Sequence, residues 1–225
     1  MQIEIFSDIA CPWCYIGKRR FEAALETFPH ADEVVITYRS FQLDPTTPRR
    51  AEQSMNEMLA TKLGRSETEA AAMNAQITET AAEVGLEYNL DDAHPENTHD
   101  AHRLLHFAAA HGEQTELKER LLQAYFTDGA HIGDHDTLAD LAAEIGLQRD
   151  AARAMLAGDD YADDVRADLH LARGLGATGV PFFVFDRAYG VSGAQPTEVF
   201  TQTLQTAWAA THPSTMASQH DRLSR

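Results

Sequence analysis

The chain's only two cysteines, Cys11 and Cys14, enclose a Pro-Trp dipeptide directly after an apolar run at the N-terminus. A lone pair cannot build a disulfide framework. It is a redox pair, an inert couple of buried thiols, or half of a four-thiolate zinc site completed by a second chain. Its surroundings favour the first. Gln2 to Phe6 alternates, with Ile3 and Ile5 apolar, and reads as a short strand. Pro12 suits the first position of a helix, where a missing N–H costs nothing. Cys11 thereby takes the N-cap place and Cys14 lies one turn in. The free N–H groups and positive end of a helix favour an anion there. Cys11 is therefore expected to ionise below the free value of about 8.5 and to act as nucleophile, with Cys14 as the resolving thiol. Asp8, three residues before Cys11, is either an acid–base group or a solvated turn residue at the strand end, and the turn reading is favoured. Trp13 is expected to stay partly exposed at the mouth of a cleft.

Charge and hydropathy exclude several function classes. With 35 acidic and 18 basic side chains, the formal net charge of -17 repels nucleic-acid backbones and anionic lipid headgroups. No apolar run approaches the roughly 18 residues of a membrane span. Glu4 and Asp8 interrupt the N-terminal run that a signal peptide keeps apolar. The expectation is a cytoplasmic protein, monomer or homodimer, with neither nucleic acid nor membrane as partner. In that compartment a C-x-x-C pair is catalytic rather than structural.

After the cysteines, Tyr15, Phe21, Ala24, Leu25 and Phe28 form the apolar face of a helix that Pro29 stops. Val34 to Phe41, rich in β-branched and aromatic residues, reads as a second strand. A right-handed crossover makes the two strands parallel. Asp44-Pro45-Thr46-Thr47-Pro48 ends the strand region. From about Glu52 to Gly176 almost everything reads as helix. Ser66 with Glu69 forms a capping box, and Asn97 with Asp100 is a second cap candidate. Leu117, Leu121, Leu122, Tyr125 and Phe126 recur at helical spacing, as do Leu138, Leu141, Ala142 and Ile145. Gly179 to Asp186 and Tyr189 to Ser192 then form an antiparallel hairpin, with Phe182 to Phe185 in the core. A final helix carries Phe200, Leu204, Ala207 and Trp208. The polar tail is expected to be disordered.

This order, β-α-β, a helical block, then α-β-β-α, is an α/β chain with the thioredoxin-like fold and a large all-helical insertion. Residues 1–44 and 177–211 form the thioredoxin-like part, 45–176 the insertion and 212–225 the tail. His99, His102 and His106 share one helix face, while His131, Asp134, His135 and Asp136 form a second cluster. Either set has the residue types for a metal, yet spacing fixes no complete ligand set. Capping, surface and cleft-lining roles are expected, with no metal.

Four segments carry a family resemblance: Ser7 to Gly17 around the cysteines, Asn97 to Leu104, Val180 to Phe185, and Val191 to Pro196. Through them nearly the whole chain resembles the DsbA-like thiol-disulfide oxidoreductases, and within them the FrnE subfamily. The resemblance implies that Pro181 is a cis-proline facing the active-site disulfide, with Val180 presenting its backbone to an extended substrate beside Cys11. It implies substrate contacts from Pro12, Trp13, Val180, Pro181, His99 and His102, the histidines lining the cleft opposite Cys11. The implied activity is dithiol–disulfide exchange by an oxidoreductase or isomerase with no tightly bound cofactor. A low-molecular-weight thiol, glutathione or mycothiol, is a candidate co-substrate. Partners would be protein or small-molecule thiols and disulfides and a cellular reductant. Some relatives carry further C-terminal cysteines, which this chain lacks. Kappa-class glutathione transferases and hydroxychromene carboxylate isomerases are similar in fold but usually place serine where Cys11 stands. They supply one alternative, and a thiol-linked holdase supplies another.

Overall fold

β1 (Gln2–Ser7) is an inner strand of a four-stranded sheet in the computed structural model, which describes residues 1–212. β2 (Val35–Ser40) pairs with it in parallel, Ile3 opposite Ile36 and Ile5 opposite Tyr38. On the other side β3 (Phe182–Phe185) is antiparallel, and the hairpin strand β4 (Tyr189–Ser192) closes the order β2-β1-β3-β4. Alternation along β1 and β3 divides the two faces. Ile3, Ile5, Phe183 and Phe185 meet Phe21, Ala24 and Phe28 of α1 (Pro12–Glu26) and Phe200, Leu204 and Ala207 of α9 (Thr197–Thr211). Phe6 and Val184 point the other way, onto Ala172 of α8 (Ala162–Gly174) and Ala177. Glu4 shares that second face and is buried. Arg39 and Arg187 both bond its carboxylate, which makes its burial tolerable.

Between β2 and α8 lie α2 (Met55–Leu63), α3 (Glu67–Ala82), α4 (His99–Ala109), α5 (Gln114–Phe126), α6 (His135–Glu144) and α7 (Arg149–Ala157). The Ser66–Glu69 capping box is formed, and Ser54 with Glu57 makes another that the sequence reading did not single out. At α4 the cap differs from expectation. Thr98 holds the N-cap position, while Asn97 stands one residue earlier and accepts the His99 N–H at 2.9 Å. Residues 83–98 form neither helix nor strand, a break that falls where the sequence ends one helix at Gly85 and offers a cap for the next at Asn97. Gly85 at φ 76° ends the helical run, and distant partners take the loop's polar groups. Asn89 N–H donates to Phe126 O at 2.7 Å, and Tyr125 OH donates to His94 O at 2.7 Å.

The helical core is built on Leu104, Leu121, Leu122, Phe126, Leu138 and Leu156, and Ile9, Tyr15 and Ile16 also enter it. α1 is thus wedged between two cores. Buried Arg103 ties α4 to the end of α7, donating to the carbonyls of Met155 at 2.9 Å, Gly158 at 2.5 Å and Asp160 at 2.8 Å. These carbonyls lie where a helix end leaves acceptors without intrahelical partners. Among the described residues no helix is long and apolar enough to cross a membrane. The expectation for the tail falls, after His212, outside the described residues.

Candidate active site

Cys11 is the N-cap of α1, with extended backbone (φ -99°, ψ 110°), and Pro12 follows in the first turn. The Cys14 N–H returns to Cys11 O at 3.0 Å, so both thiols sit at one end of the helix. Both are unpaired as a disulfide and almost completely buried. Cys11 Sγ lies 3.6 Å from Val180 O, within reach of a weak S–H···O bond. The Val180–Pro181 peptide is cis. Two contacts fix this loop, one to the chain after β4 and one to α1. Gly193 N–H donates to Pro181 O at 2.8 Å. Gly17, one turn after Cys14, passes so close that a Cβ there would stand 2.9 Å from Pro181 Cγ.

Trp13 is 41% exposed beside these buried thiols, the partial exposure expected of it. Pro12 O accepts Tyr88 OH at 2.7 Å, and Tyr88 stacks on Phe126 at 4.8 Å between ring centroids. The irregular segment before α4 therefore braces the cysteine turn. Ala10 opens onto a small cavity of about 80 Å³ lined by Leu43, Met55, Met58 and Pro95.

Asp8 serves the turn from the interior, not from solvent as the favoured reading had it. One carboxylate oxygen accepts Ile9 N–H at 2.8 Å and lies 3.2 Å from His102 Nε2; the other accepts Leu43 N–H at 2.8 Å. Burial opposes its charge, but His102 and the Leu43 amide outweigh burial and hold the carboxyl below the ordinary aspartate range. His102 is itself fully buried, and desolvation keeps it below an ordinary histidine despite Asp8. It is therefore a neutral ring donating to Asp8, and it does not line an open cleft. The His99 side chain is 36% exposed and lies 3.6 Å from Asp100. The carboxylates decide both positions: Asp8 draws His102 inward, while Asp100 gathers His99 with Arg49, Arg103 and His135.

The remaining histidines of the two clusters are likewise engaged, His135 with Asp100 at 2.8 Å. His106 Nε2 lies 3.1 Å from Ser40 Oγ and from Asp168 Oδ2, and His131 pairs with Glu96 at 2.7 Å. No group of three or more potential ligands capable of holding a metal occurs among the described residues.

The thiols reverse the expected order of ionisation. Cys11 is held well above an ordinary cysteine because the adjoining Cys14 sulfur keeps it as an S–H donor; burial and the Asp8 carboxylate push the same way. Burial opposes a charge on Cys14 too. The Cys11 S–H, the Lys118 ammonium, the nearby Ser7 hydroxyl and the Asp8 N–H outweigh it and bring Cys14 below the ordinary value. The pair releases its first proton as a unit, and its buried surroundings favour the charge on Cys14. The end of a helix favours charge on Cys11, but buried neighbours from elsewhere in the chain favour it on Cys14 more.

Sequence reasoning missed Lys118 and Glu119. Glu119 on α5 accepts Tyr15 OH and Lys18 Nζ, each at 2.5 Å, and pairs with Arg19, latching α5 to α1. Lys118 is 1% exposed. One signal was available: Lys118 stands three, four and seven residues before Leu121, Leu122 and Tyr125, so it falls on the apolar stripe of α5.

Comparison with known proteins agrees with this architecture. The chain is 49% identical, with a TM-score of 0.89, to the structure of a probable DsbA oxidoreductase from Streptomyces coelicolor, covering 93% of this chain and 90% of that one. The uncharacterised protein YwbO of Bacillus subtilis strain 168 is 28% identical over 206 residues, 91% of this chain and 96% of its own. The cytosolic disulfide reductase DsbM from Pseudomonas aeruginosa, solved with GSH, shares the fold at 18% identity and a TM-score of 0.64, covering 92% of this chain and 98% of that one. The DSBA-like thioredoxin domain matches residues 2–205, nearly the whole described chain, and the protein belongs to that family.

Proposed function

We propose that this oxidoreductase exchanges disulfides through Cys11 and Cys14. The observation that carries the reading is the position of Cys11 Sγ, 3.6 Å from Val180 O at the Val180–Pro181 turn. A thiol placed against a backbone carbonyl at this turn can meet a substrate chain whose own backbone pairs there. Cys14, whose surroundings favour its thiolate, is the sulfur that accepts the Cys11 proton.

The exchange balances as follows. The Cys11 proton passes to the Cys14 thiolate, and the Cys11 thiolate attacks a substrate disulfide. A Cys11–substrate disulfide forms, and one substrate sulfur leaves as thiolate. Cys14 then loses its proton and attacks Cys11 Sγ, forming the Cys11–Cys14 disulfide and releasing the second substrate thiolate. The pair has given two electrons to the substrate; its single proton neutralises one departing thiolate, and the other takes its proton from solvent. Pro12, Trp13, Val180 and Pro181 are the proposed substrate contacts. A low-molecular-weight thiol, glutathione or mycothiol, would return the pair to the dithiol in the cytoplasmic setting expected from the sequence. Membership of the FrnE subfamily is part of the same proposal. A transferase or isomerase that only orients a bound thiol has no need of the second cysteine, so the intact pair favours exchange. A holdase would keep its activity without either cysteine.

The test uses glutathione disulfide. Cys14→Ser should accumulate one glutathionyl group on Cys11, seen by intact mass, whereas the wild type resolves it to the internal disulfide. Cys11→Ser should accumulate neither and turn over no disulfide substrate. Full turnover by Cys11→Ser would sink the assignment.

A further inference from the structure

A lysine buried in a protein core is costly unless something holds its charge. Lys118 Nζ has no hydrogen-bond partner among the described residues, and neither do the buried Ser7 Oγ and His102 Nδ1. All three are buried and act on the cysteine turn, two on Cys14 and one on Asp8. Ser7 acts on Cys14, His102 bonds Asp8, and Lys118 is acted on most strongly by Cys14, then by Asp8 and Cys11.

The placement of Lys118 is fixed by the elements around it. One turn earlier, Gln114 bonds both the N–H and the C=O of Tyr38 on β2, each at 3.0 Å. One residue later, Glu119 is held by Tyr15, Lys18 and Arg19 of α1. Held at both points, α5 presents the ammonium 5.9 Å from the centre of the Tyr38 ring. The groups facing it are Cys11, Cys14 and Lys18 of α1, Asp8 in the β1–α1 turn, His102 of α4 and Tyr38 of β2. Lys18 is engaged by Glu22 and Glu119, and His102 is neutral. The thiolate of the dithiol and the Asp8 carboxylate are thus the negative charges acting on Lys118. Burial opposes these partners and pulls Lys118 down to about 8.

We propose that Lys118 is a positioning residue that sets the reduction potential of the Cys11–Cys14 pair: its ammonium stabilises the thiolate of the reduced form and makes the protein more oxidising. The proposal rests on the redox reading of the two cysteines. Oxidation takes a thiolate and a thiol to a disulfide, releases one proton and passes two electrons to the substrate disulfide. The negative charge beside Lys118 is lost in that step. The ammonium therefore favours the reduced side of the equilibrium, and its effect fades as pH rises past about 8, where Lys118 itself loses its proton.

The experiment compares wild type, Lys118→Met and Lys118→Arg in glutathione and glutathione disulfide mixtures across pH, following Trp13 fluorescence and thiolate absorbance. Lys118→Met should favour the disulfide at least tenfold more than wild type at pH 7, a potential lower by about 30 mV for this two-electron couple. Its first thiol ionisation should move up. Lys118→Arg should stay within a few-fold of wild type. The gap between wild type and Lys118→Met should close above pH 8. Lys118→Met should be no less stable to urea than wild type, which separates loss of a charge from loss of the fold. An unchanged equilibrium and thiolate titration in Lys118→Met would overturn the proposal. A wild type that forms no reversible Cys11–Cys14 disulfide would overturn the redox reading itself, and the proposal with it.

Discussion

Replacing Glu119 by glutamine tests how firmly α5 is held against the cysteine helix. The carboxylate accepts Tyr15 OH and Lys18 Nζ at 2.5 Å and pairs with Arg19. Burial works against its charge, but Arg19 and Lys18 outweigh burial and bring the carboxyl from 4.5 down to about 2. Were the unfolded chain to titrate at 4.5, that depression would be worth at most about 3.4 kcal/mol at pH 7. Glu119 and Arg19 are 30% and 29% exposed, so solvent screens part of the interaction, and about half, roughly 1.7 kcal/mol, is the reasonable expectation. A carboxyl depressed in the folded state stabilises fully above its unfolded value. The benefit is lost as pH falls from 4.5 toward 2. Urea unfolding of wild type and Glu119→Gln should therefore differ by roughly 1.7 kcal/mol at pH 7 and by less than half as much at pH 3. Because Gln114 still pins α5 to β2, the dithiol equilibrium should move less than in Lys118→Met. A stability gap equal at both pH values would refute the electrostatic account of the latch.

Two further substitutions probe the supports of the site. Gly17→Ala places a Cβ 2.9 Å from the buried Pro181 ring and 3.4 Å from Ala194 Cα, so α1 and the Val180–Pro181 turn must separate. It should cost about 1–3 kcal/mol in urea unfolding and change the rate at which Cys11 is glutathionylated; no change in either would show that the ring yields freely. Arg103→Met strips the donors from the Met155, Gly158 and Asp160 carbonyls and leaves the half-buried Asp100 with one cation fewer. A loss of about 3–5 kcal/mol is expected, with the dithiol potential unmoved, since Arg103 is not among the groups acting on the thiols. A loss below about 1 kcal/mol would mean that the end of α7 finds other donors.

The local signals in the sequence were sufficient for the elements and for the turn that holds the cysteines. Alternation found β1, β-branched and aromatic residues found β2 and β3, and Pro12 set the start of α1. The Ser66–Glu69 pair found the start of α3. What escaped notice depends on contacts between distant positions. Tyr88 meets Pro12 across 76 residues, and His102 meets Asp8 across 94. No spacing rule reaches so far. The cap of α4 was misplaced by one residue because Asn97 and Thr98 are both capping types, and only the backbone angles decide which begins the helix. His102 misled for a related reason. Its place on the helix was read correctly, but the direction of its ring is set by the Asp8 carboxylate, which comes from another element.

The ionisation of the thiols shows most clearly what a motif leaves open. Cys11-Pro12-Trp13-Cys14 fixes the spacing of the sulfurs and their place at a helix end, and a helix end alone favours charge on Cys11. The first turns of α1 are covered on one side by the sheet core and on the other by the helical core, so water is excluded there and distant buried charges act with little screening. Lys118 comes from the helical block and acts on Cys14; Asp8 comes from the strand end and acts against Cys11. On the proposed exchange reading, the helical block between β2 and β3 is therefore part of the redox centre as well as a cover over it. Two chains with the same four-residue motif and the same sheet can differ in potential through one residue on α5, and substitutions in the insertion are where such differences should be sought.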